Sequence, residues 1–317
     1  MNKLLAMRCF AAVAELGSFS AAARRLGRSK ASVSRQVAEL EASFDAQLLL
    51  RTTRRVSLTE TGQACLVRCR ELLAALDDLE NAVRGREAAL GGMLRVAGPQ
   101  TFAELHLGGA IDAFMRLHPA LELELSLTDG YVDLVRDACD VAIRIGALED
   151  SSLVARRLAT SRILCCAAPG YLGRHGCPAT PAALADHVLV VDTNFRQPSW
   201  RFLVDGRSEM VRARGRIQVN SAVFVREQLL AGAGVGLVPE FIVADAVASG
   251  ALAALPFECE PRELGIHAVY PRRRHLARRV RAFVDFLVAW FAADGPGARV
   301  NAARGQRQGS SRADIST

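Results

Sequence analysis

The side chains in this chain best placed to do chemistry form a short row of hydrogen-bonding and basic groups: Ser29, Lys30, Ala31, Ser34 and Arg35, within GRSKASVSRQVAEL. Val33, Val37 and Leu40 recur at i, i+4 and i+7, the spacing of one apolar stripe on an α-helix, which leaves Lys30, Ser34 and Arg35 on the opposite face. A helix buried along one side and rich in donors along the other is what entry into a DNA major groove requires, because base edges there present donors and acceptors. The small residues Ala31, Ser32 and Ser34 permit close approach. A second basic group, Arg51, Arg54 and Arg55, lies between two short extended runs in LLLRTTRRVSL, residues 48–58. That is the pattern of a β-hairpin whose basic tip rests on phosphates. Residues 20–57 hold eight Lys or Arg against three Asp or Glu, a local net charge of +5 that suits a polyanion.

Holding that face in place takes further helices. Leu4–Leu16 reads as the first, with Leu5, Cys9, Ala12 and Leu16 on its inner side. Ser18 or Ser20 caps the second, whose Ala-rich run has high helix propensity and which stops at Gly27; Ser29 caps the third. A plain surface helical hairpin would carry the same loose pattern, and the adjacent basic hairpin and local charge are what argue for DNA. Thr59 caps a further helix that runs to about Leu90. Its positions Leu66, Cys69, Leu73, Leu76 and Val83 are spaced three, four, three and seven, the heptad rhythm of a helix that pairs with a second copy, with Glu80 interrupting the stripe. At ~1.5 Å per residue such a helix is a rod of ~45 Å, longer than a small winged domain can cover. The expectation is a dimerisation helix, against the alternative of a helix lying on its own domain's core.

At the level of whole motifs the first ninety residues resemble the LysR-type transcriptional regulators. The likeness is carried by FAAVAELGSFS (10–20), AAARRLGRSKASVSRQVAELE (21–41) and LLLRTTRRVSLTETG (48–62). It continues more loosely to about residue 293 through DLVRDACDVAIRIGALEDSSLVARRLA (133–159) and AGAGVGLVPEFIV (231–243). Lys30 and Ala31 stand where many members carry Gln and Pro, a departure that bears on base preference. The resemblance implies an amino-terminal winged helix-turn-helix that binds promoter DNA as a homodimer or homotetramer. It implies also a response to a small-molecule effector, contact with RNA polymerase, and neither enzymatic activity nor a cofactor.

Beyond Gly91-Gly92 the pattern alternates strands and helices: 93–98 extended, Phe102 to Leu117 helical, 121–127 extended, Val132 to Asp137 helical, 141–146 extended. That βαβαβ order predicts a parallel sheet with helices on its faces. Residues 154–168 carry the chain into a second unit with extended runs at 188–191, 200–204, 209–214, 216–220 and 235–238 and a helix from Ser221 to Ala231. Residues 264–270 read as a returning crossover strand and Arg278 to Phe291 as a closing helix. The fold class is therefore α/β: a winged helix-turn-helix (1–59), a linker or dimerisation helix (60–90), and a two-lobed α/β domain (91–294). Lobe I takes about 91–161 and 265–294, lobe II about 162–264. The resemblance implies that this domain is the family's periplasmic-binding-protein-like (type 2) sensor. Residues 295–317, rich in Gly, Ser and Arg without apolar period, read as a disordered tail.

A helix amino terminus is an anion site because its N–H groups are unpaired. Pro99, Gln100 and Thr101 open the helix after the first sheet strand, and Asn220 and Ser221 do the same in the second lobe. Both could be simple helix caps; the resemblance places the family's effector pocket there, with Thr128, Arg144, Asn194 and His267 as further candidates. A small, polar and anionic effector follows from two such helix starts facing one cleft.

Composition bounds the rest. A chain of 317 residues, 50% hydrophobic, has ample capacity for cores in two or three domains. The net charge of +7 fits a nucleic-acid partner, yet lysines occur only at Lys3 and Lys30, so an Arg-rich coding bias gives the same total. No run approaches the ~18 apolar residues a membrane span needs, and the expected location is the cytoplasm. Cys9, Cys65, Cys69, Cys139, Cys165, Cys166, Cys177 and Cys259 form no CxxC, which fits buried thiols in a reducing compartment. Cys65 and Cys69 lie one helical turn apart without a third ligand, and Cys165-Cys166, vicinal on a strand, point to opposite faces, against a reversible disulfide. His106, His118, His175, His187, His267 and His275 are scattered, and neither G-x-S-x-G nor His-Glu-x-x-His occurs. Gly232, Gly234 and Gly236 end a helix and enter a strand, the reverse of a dinucleotide loop. The arginines at 272–274, 278, 279 and 281 read as a solvated helix start. The rival readings are a solute-binding or enzymatic protein of the two-lobed fold, and a cysteine-based redox-sensing regulator.

Overall fold

In a computed structural model the described residues are 2–51, 56–83, 90–128, 139–148, 153–194, 199–272 and 276–292. The amino-terminal head is built from α1 (Lys3–Leu16), α2 (Phe19–Arg25), α3 (Lys30–Phe44), a two-stranded antiparallel ribbon of β1 (Leu49–Arg51) and β2 (Val56–Leu58), and the start of α4 (Glu60–Val83). Side chains cap these helices where the sequence indicates. Ser18 Oγ accepts from Ala21 N, Ser29 Oγ from Ser32 N, and Thr59 Oγ1 from Gly62 N. Gly27 takes φ +61° in the turn between α2 and α3, a left-handed conformation that a residue with a Cβ resists. Cys9, Phe10, Val13, Phe19, Ala22, Val33, Val37 and Leu40 close one core.

The long helix needs correction in one respect. It is described over Glu60–Val83, residues 84–89, on which the expected end near Leu90 depends, lie outside the described residues, and Leu90 is buried with the core of the following domain. Leu66 and Cys69, expected on a partner-facing stripe, are instead buried in the head's own core, with Leu73 packed against it. The face of α4 left exposed carries Leu72 (52%), Leu79 (60%) and Val83 (79%), and Leu76 is half-buried.

The remaining chain builds two sheets and an annex. The first sheet contains β3 (Gly92–Gly98), β4 (Leu121–Leu127), β5 (Val141–Ile145) and β6 (Leu153–Ser161), with α5 (Gln100–Phe102), a π-helical stretch at Ala103–Leu107 and α6 (Gly108–Leu117) between β3 and β4. The second contains β7 (Ile163–Ala167), followed by α7 (Pro169–His175), a 3-10 turn at Pro181–Asp186 and β8 (Leu189–Asp192). After β9 (Ser199–Val204) and β10 (Arg207–Arg212) come β11 (Ile217–Val219), α8 (Ala222–Leu230), β12 (Val235–Pro239), α9 (Glu240–Ala248), β13 (Ala253–Ala254) and β14 (Glu258–Cys259). The chain then returns through β15 (Leu264–Pro271) to α10 (Arg278–Trp290).

Strand order in the first sheet is β4-β3-β5-β15-β6 and in the second β11-β8-β12-β7-β13. The expected parallel pairing is present, since β3 pairs parallel with both β4 and β5. The sheets are mixed, however: the returning strand β15 runs antiparallel to β5 and β6, and β12 antiparallel to β7. A returning crossover enters from the far edge, so its direction is set by the entry point and not by the βαβ rule. β9, β10 and β14 form a separate antiparallel sheet, order β10-β9-β14. The helix expected at Val132 to Asp137 and the tail from 295 lie outside the described residues. One apolar core runs through both sheets, joined where the Phe102 ring stands edge-on to Phe241 at 5.5 Å and beside Phe291 at 5.8 Å.

Candidate nucleic-acid interface and effector cleft

In the head, α3 buries Val33, Val37 and Leu40 and turns Ser29, Lys30, Ala31 and Arg35 to solvent, with Ser34 half-buried beside them. The apolar stripe fixes this rotation: a helix that seats three buried residues against α1 and α2 presents the opposite side by geometry. Arg35 donates from Nε to Glu39 Oε1 at 2.9 Å, and Gln36 Nε2 donates to Glu39 Oε2 at 3.2 Å. The Arg35 side chain, 80% exposed, is held on an i,i+4 pair with Glu39. Glu41 does something different. Its Oε1 accepts from Leu48 N at 2.9 Å and Leu49 N at 3.0 Å, pinning the start of the ribbon to the end of α3. Ribbon and helix are therefore joined directly. Arg51 ends β1; Arg54 and Arg55, at the expected tip, lie outside the described residues.

In the first sheet Pro99 occupies the position before α5, and Gln100 and Thr101 form its first turn. Gln100 Nε2 donates to Glu104 Oε1 at 2.9 Å, and Thr128 N donates to Gly98 O at 3.0 Å, which joins the carboxyl ends of β3 and β4. In the second sheet the ends of β8 and β11 are joined the same way: Thr193 N donates to Val219 O, Asn194 Nδ2 to Asn220 O at 3.0 Å, and the buried Asp192 accepts from Asn194 N at 2.9 Å. Ser221 Oγ accepts from Phe224 N at 3.3 Å, so this hydroxyl caps α8. Each sheet thus gathers its candidates at the carboxyl edge of parallel strands, the edge where open α/β sheets take ligands. Arg144 and His267 face each other across β5 and β15. The His267 ring folds back over a β-bulge onto Gly265, where an added Cβ would lie 2.2 Å from Cε1. Burial and the neighbouring Arg157 charge push the His267 pKa down, against a backbone contact at Gly265 that raises it.

Two features escaped sequence reasoning, and a third, the proximity of Cys65 and Cys69, follows from their spacing of one helical turn. His106, on the π-helical stretch, donates from Nε2 to Phe241 O at 3.1 Å and so ties the first sheet's helix to α9 of the second. Burial pushes its pKa down, with the Phe241 carbonyl pulling the other way. Glu15, near the end of α1, meets arginines from three elements. A lone acid in the apolar run of α1 was a signal for it. Cys65 and Cys69 bring their sulfurs to 3.7 Å, and Cys69, being buried, has a pKa pushed well up by that contact and by burial. Among the described residues no group of three or more His, Cys, Asp or Glu could hold a metal, and no helix is long and apolar enough to cross a membrane. The glycine run at 232–236 serves packing: a Cβ on Gly234 would stand 2.3 Å from Val188 O.

Comparison with known proteins gives two domain matches. Residues 4–63 match the bacterial regulatory helix-turn-helix protein domain of the lysR family, and residues 87–292 match the LysR substrate binding domain. The chain is 37% identical over 279 residues to the HTH-type transcriptional regulator PtxR of Pseudomonas aeruginosa, covering 88% of this chain and 89% of that one. It is 37% identical over 292 residues to the uncharacterized HTH-type transcriptional regulator YhjC of Escherichia coli, covering 90% and 97%. Among solved structures it is similar to CrgA, a LysR-type transcriptional regulator from Neisseria meningitidis, with TM-score 0.57 and 32% identity over 90% of this chain and 97% of that one.

Proposed function

This chain belongs to the LysR family of DNA-binding transcriptional regulators, and from that premise we propose that it acts in the cytoplasm as a homodimer or homotetramer on promoter DNA. In this reading α3 enters the major groove with Lys30, Ser34 and Arg35 on base edges, and the ribbon, with Arg51, Arg54 and Arg55, lies on flanking phosphates. The observation that carries it is the rotation of α3: its apolar stripe is fully buried and its donor face is open to solvent, while Glu41 locks the ribbon beside it. The exposed face of α4 at Leu72, Leu79 and Val83 supplies one two-fold contact between copies.

The two-lobed domain takes a small polar or anionic effector at the carboxyl edges of its sheets. Pro99, Gln100, Thr101 and Thr128 serve from one side and Asn194, Asn220 and Ser221 from the other, with Arg144 and His267 as outlying candidates. Support comes from α5 and α8, which each start at that edge and present N–H groups there. Differential affinity for two arrangements of the lobes is what would let the effector act on DNA. Contact with RNA polymerase completes the proposal. The test is to map genomic binding of the chain in cells. Enrichment at promoter regions sharing a two-fold symmetric sequence is expected; uniform occupancy would overturn the assignment.

A further inference from the structure

A carboxylate in the last turn of a helix is locally disfavoured, because the helix dipole places partial negative charge there. Glu15 sits in that turn of α1 and is only 14% exposed, a combination that needs strong compensation. Three guanidiniums provide it. Arg25, the last residue of α2, donates from Nη2 to Oε2 at 2.7 Å; Arg70 of α4 donates from Nη2 and Nε to Oε1 at 3.0 and 3.2 Å; Arg95 of β3 reaches the same Oε1 with Nη2 at 2.8 Å. Burial raises the Glu15 pKa, but the charge of Arg95 and the pairs with Arg25 and Arg70 outweigh it and hold the carboxyl below the usual range.

Arg95 belongs to the sensor domain, not to the head, and it is itself fixed three times. Its Nε donates to Glu124 Oε2 of β4 at 3.0 Å, its backbone N to Asp140 Oδ2 at 3.0 Å, and its backbone O accepts from Asp140 N at 2.8 Å, just before β5. The guanidinium is 15% exposed. Three cations and three carboxylates thus form one balanced cluster that spans β3, β4, α1, α2 and α4. Glu15, Arg70 and Arg95 are largely buried while Arg25 and Glu124 stay 44% and 61% exposed, so removing either Glu15 or Arg95 would leave its buried partner short of compensation. Arg25 precedes by two residues the Gly27 turn into α3, and α2 shares its core with Val33 and Val37 of that helix.

We propose that Glu15 and Arg95 are positioning residues that fix the DNA-reading head to lobe I, so that displacement of the β3–β4 edge passes through Glu15 and Arg25 to α2 and the recognition helix, with Arg70 tying α4 to the same carboxylate. The proposal rests on the reading of α3 as the DNA-contacting helix. It gives Arg95 a role that no spacing rule shows, since its partner is eighty residues away.

The test uses the full chain as wild type, Arg95→Gln, Arg95→Lys and Glu15→Gln, followed by amide hydrogen exchange with and without a random-sequence DNA duplex. Without DNA, Arg95→Gln should speed exchange by about tenfold in residues 15–25 and 122–126 while leaving the sheet core at β5 and β15 as in wild type. Arg95→Lys, whose single ammonium cannot bridge Glu15 and Glu124, should fall between. With duplex, wild type should show altered exchange at β3 and β4 as well as at α3, and Arg95→Gln should keep the α3 response and lose the sheet response. A general rise in exchange across the head, or no rise at 15–25, would reduce Arg95 to a structural residue and overturn the proposal. If the duplex fails to protect α3 in wild type, the DNA reading fails, and the DNA-free comparison still decides the contact. Should Arg95→Gln not fold, Arg95→Lys and Glu15→Gln carry the same comparison.

Discussion

Replacing Leu72 and Leu79 of α4 by Glu should halve the mass of the assembly. Both side chains are more than half exposed in the single chain. Complete burial of a leucine is worth ~1.5–3 kcal/mol, so covering the exposed half of each against a second copy gains about 0.8–1.5 kcal/mol. Two-fold symmetry counts each position twice, which brings the four leucines to roughly 3–6 kcal/mol. Loss of that sum alone weakens association by about two to four orders of magnitude, and self-facing carboxylates add repulsion. Sedimentation velocity of the full chain across a dilution series reads the outcome. Leu66→Ala is the control. Leu66 is buried in the head's own core, so its truncation should cost ~2–5 kcal/mol of head stability and leave the mass unchanged. A Leu72→Glu/Leu79→Glu chain that sediments like wild type, or a Leu66→Ala chain that dissociates while melting normally, would refute the assignment of the two faces of α4.

Two further outcomes follow from the same geometry. The Glu15 carboxyl, its pKa lowered by Arg95, Arg25 and Arg70 against the effect of burial, contributes stability that is present above the ordinary Glu value of ~4.3 and lost as pH falls through its depressed folded value. The groups around it are those three arginines, with Glu124 and Asp140 on Arg95, and thermal melts below pH 4 should fall more steeply for wild type than for Glu15→Gln; parallel curves would contradict this. Thr101→Phe and Ser221→Phe should abolish any shift in promoter-DNA affinity on adding small carboxylates or cell extract, measured by fluorescence anisotropy, whereas a full shift in both variants would move the effector site elsewhere.

The head was legible because its signals are local. Ser18, Ser29 and Thr59 each cap the helix that follows within three residues, and the Val33, Val37, Leu40 stripe alone sets which side of α3 meets solvent. The sensor's strands were legible wherever turn residues bound an extended run, as at β4, which spans Leu121–Leu127 as its alternation indicates. Other elements were hidden for stated physical reasons. In VGLVPEFIVADAVA apolar residues dominate both β12 and α9, with only Pro239-Glu240 at their junction, and such a run does not by periodicity alone separate strand from helix. On α4 two apolar rows coexist, one at 66, 69 and 73 facing the head and one at 72, 79 and 83 facing outward, and the heptad spacing 66, 69, 73, 76, 83 draws on both. The Glu15 cluster joins residues 10, 55 and 80 positions apart, so only tertiary structure assembles it. The same holds for the pairing of Asn194 with Asn220.

The central claim is that α3 selects sequence, and selection of duplex DNA from a random pool by the full chain tests it most directly, with Lys30→Ala/Arg35→Ala compared against wild type. The wild type should enrich a symmetric pair of half-sites. The variant should lose the preference at the bases those side chains contact, at ~1–3 kcal/mol for each lost base contact, while still binding random duplex with a salt dependence left to the ribbon. A wild type that enriches nothing, or a variant that enriches the same half-sites as strongly, would contradict the account.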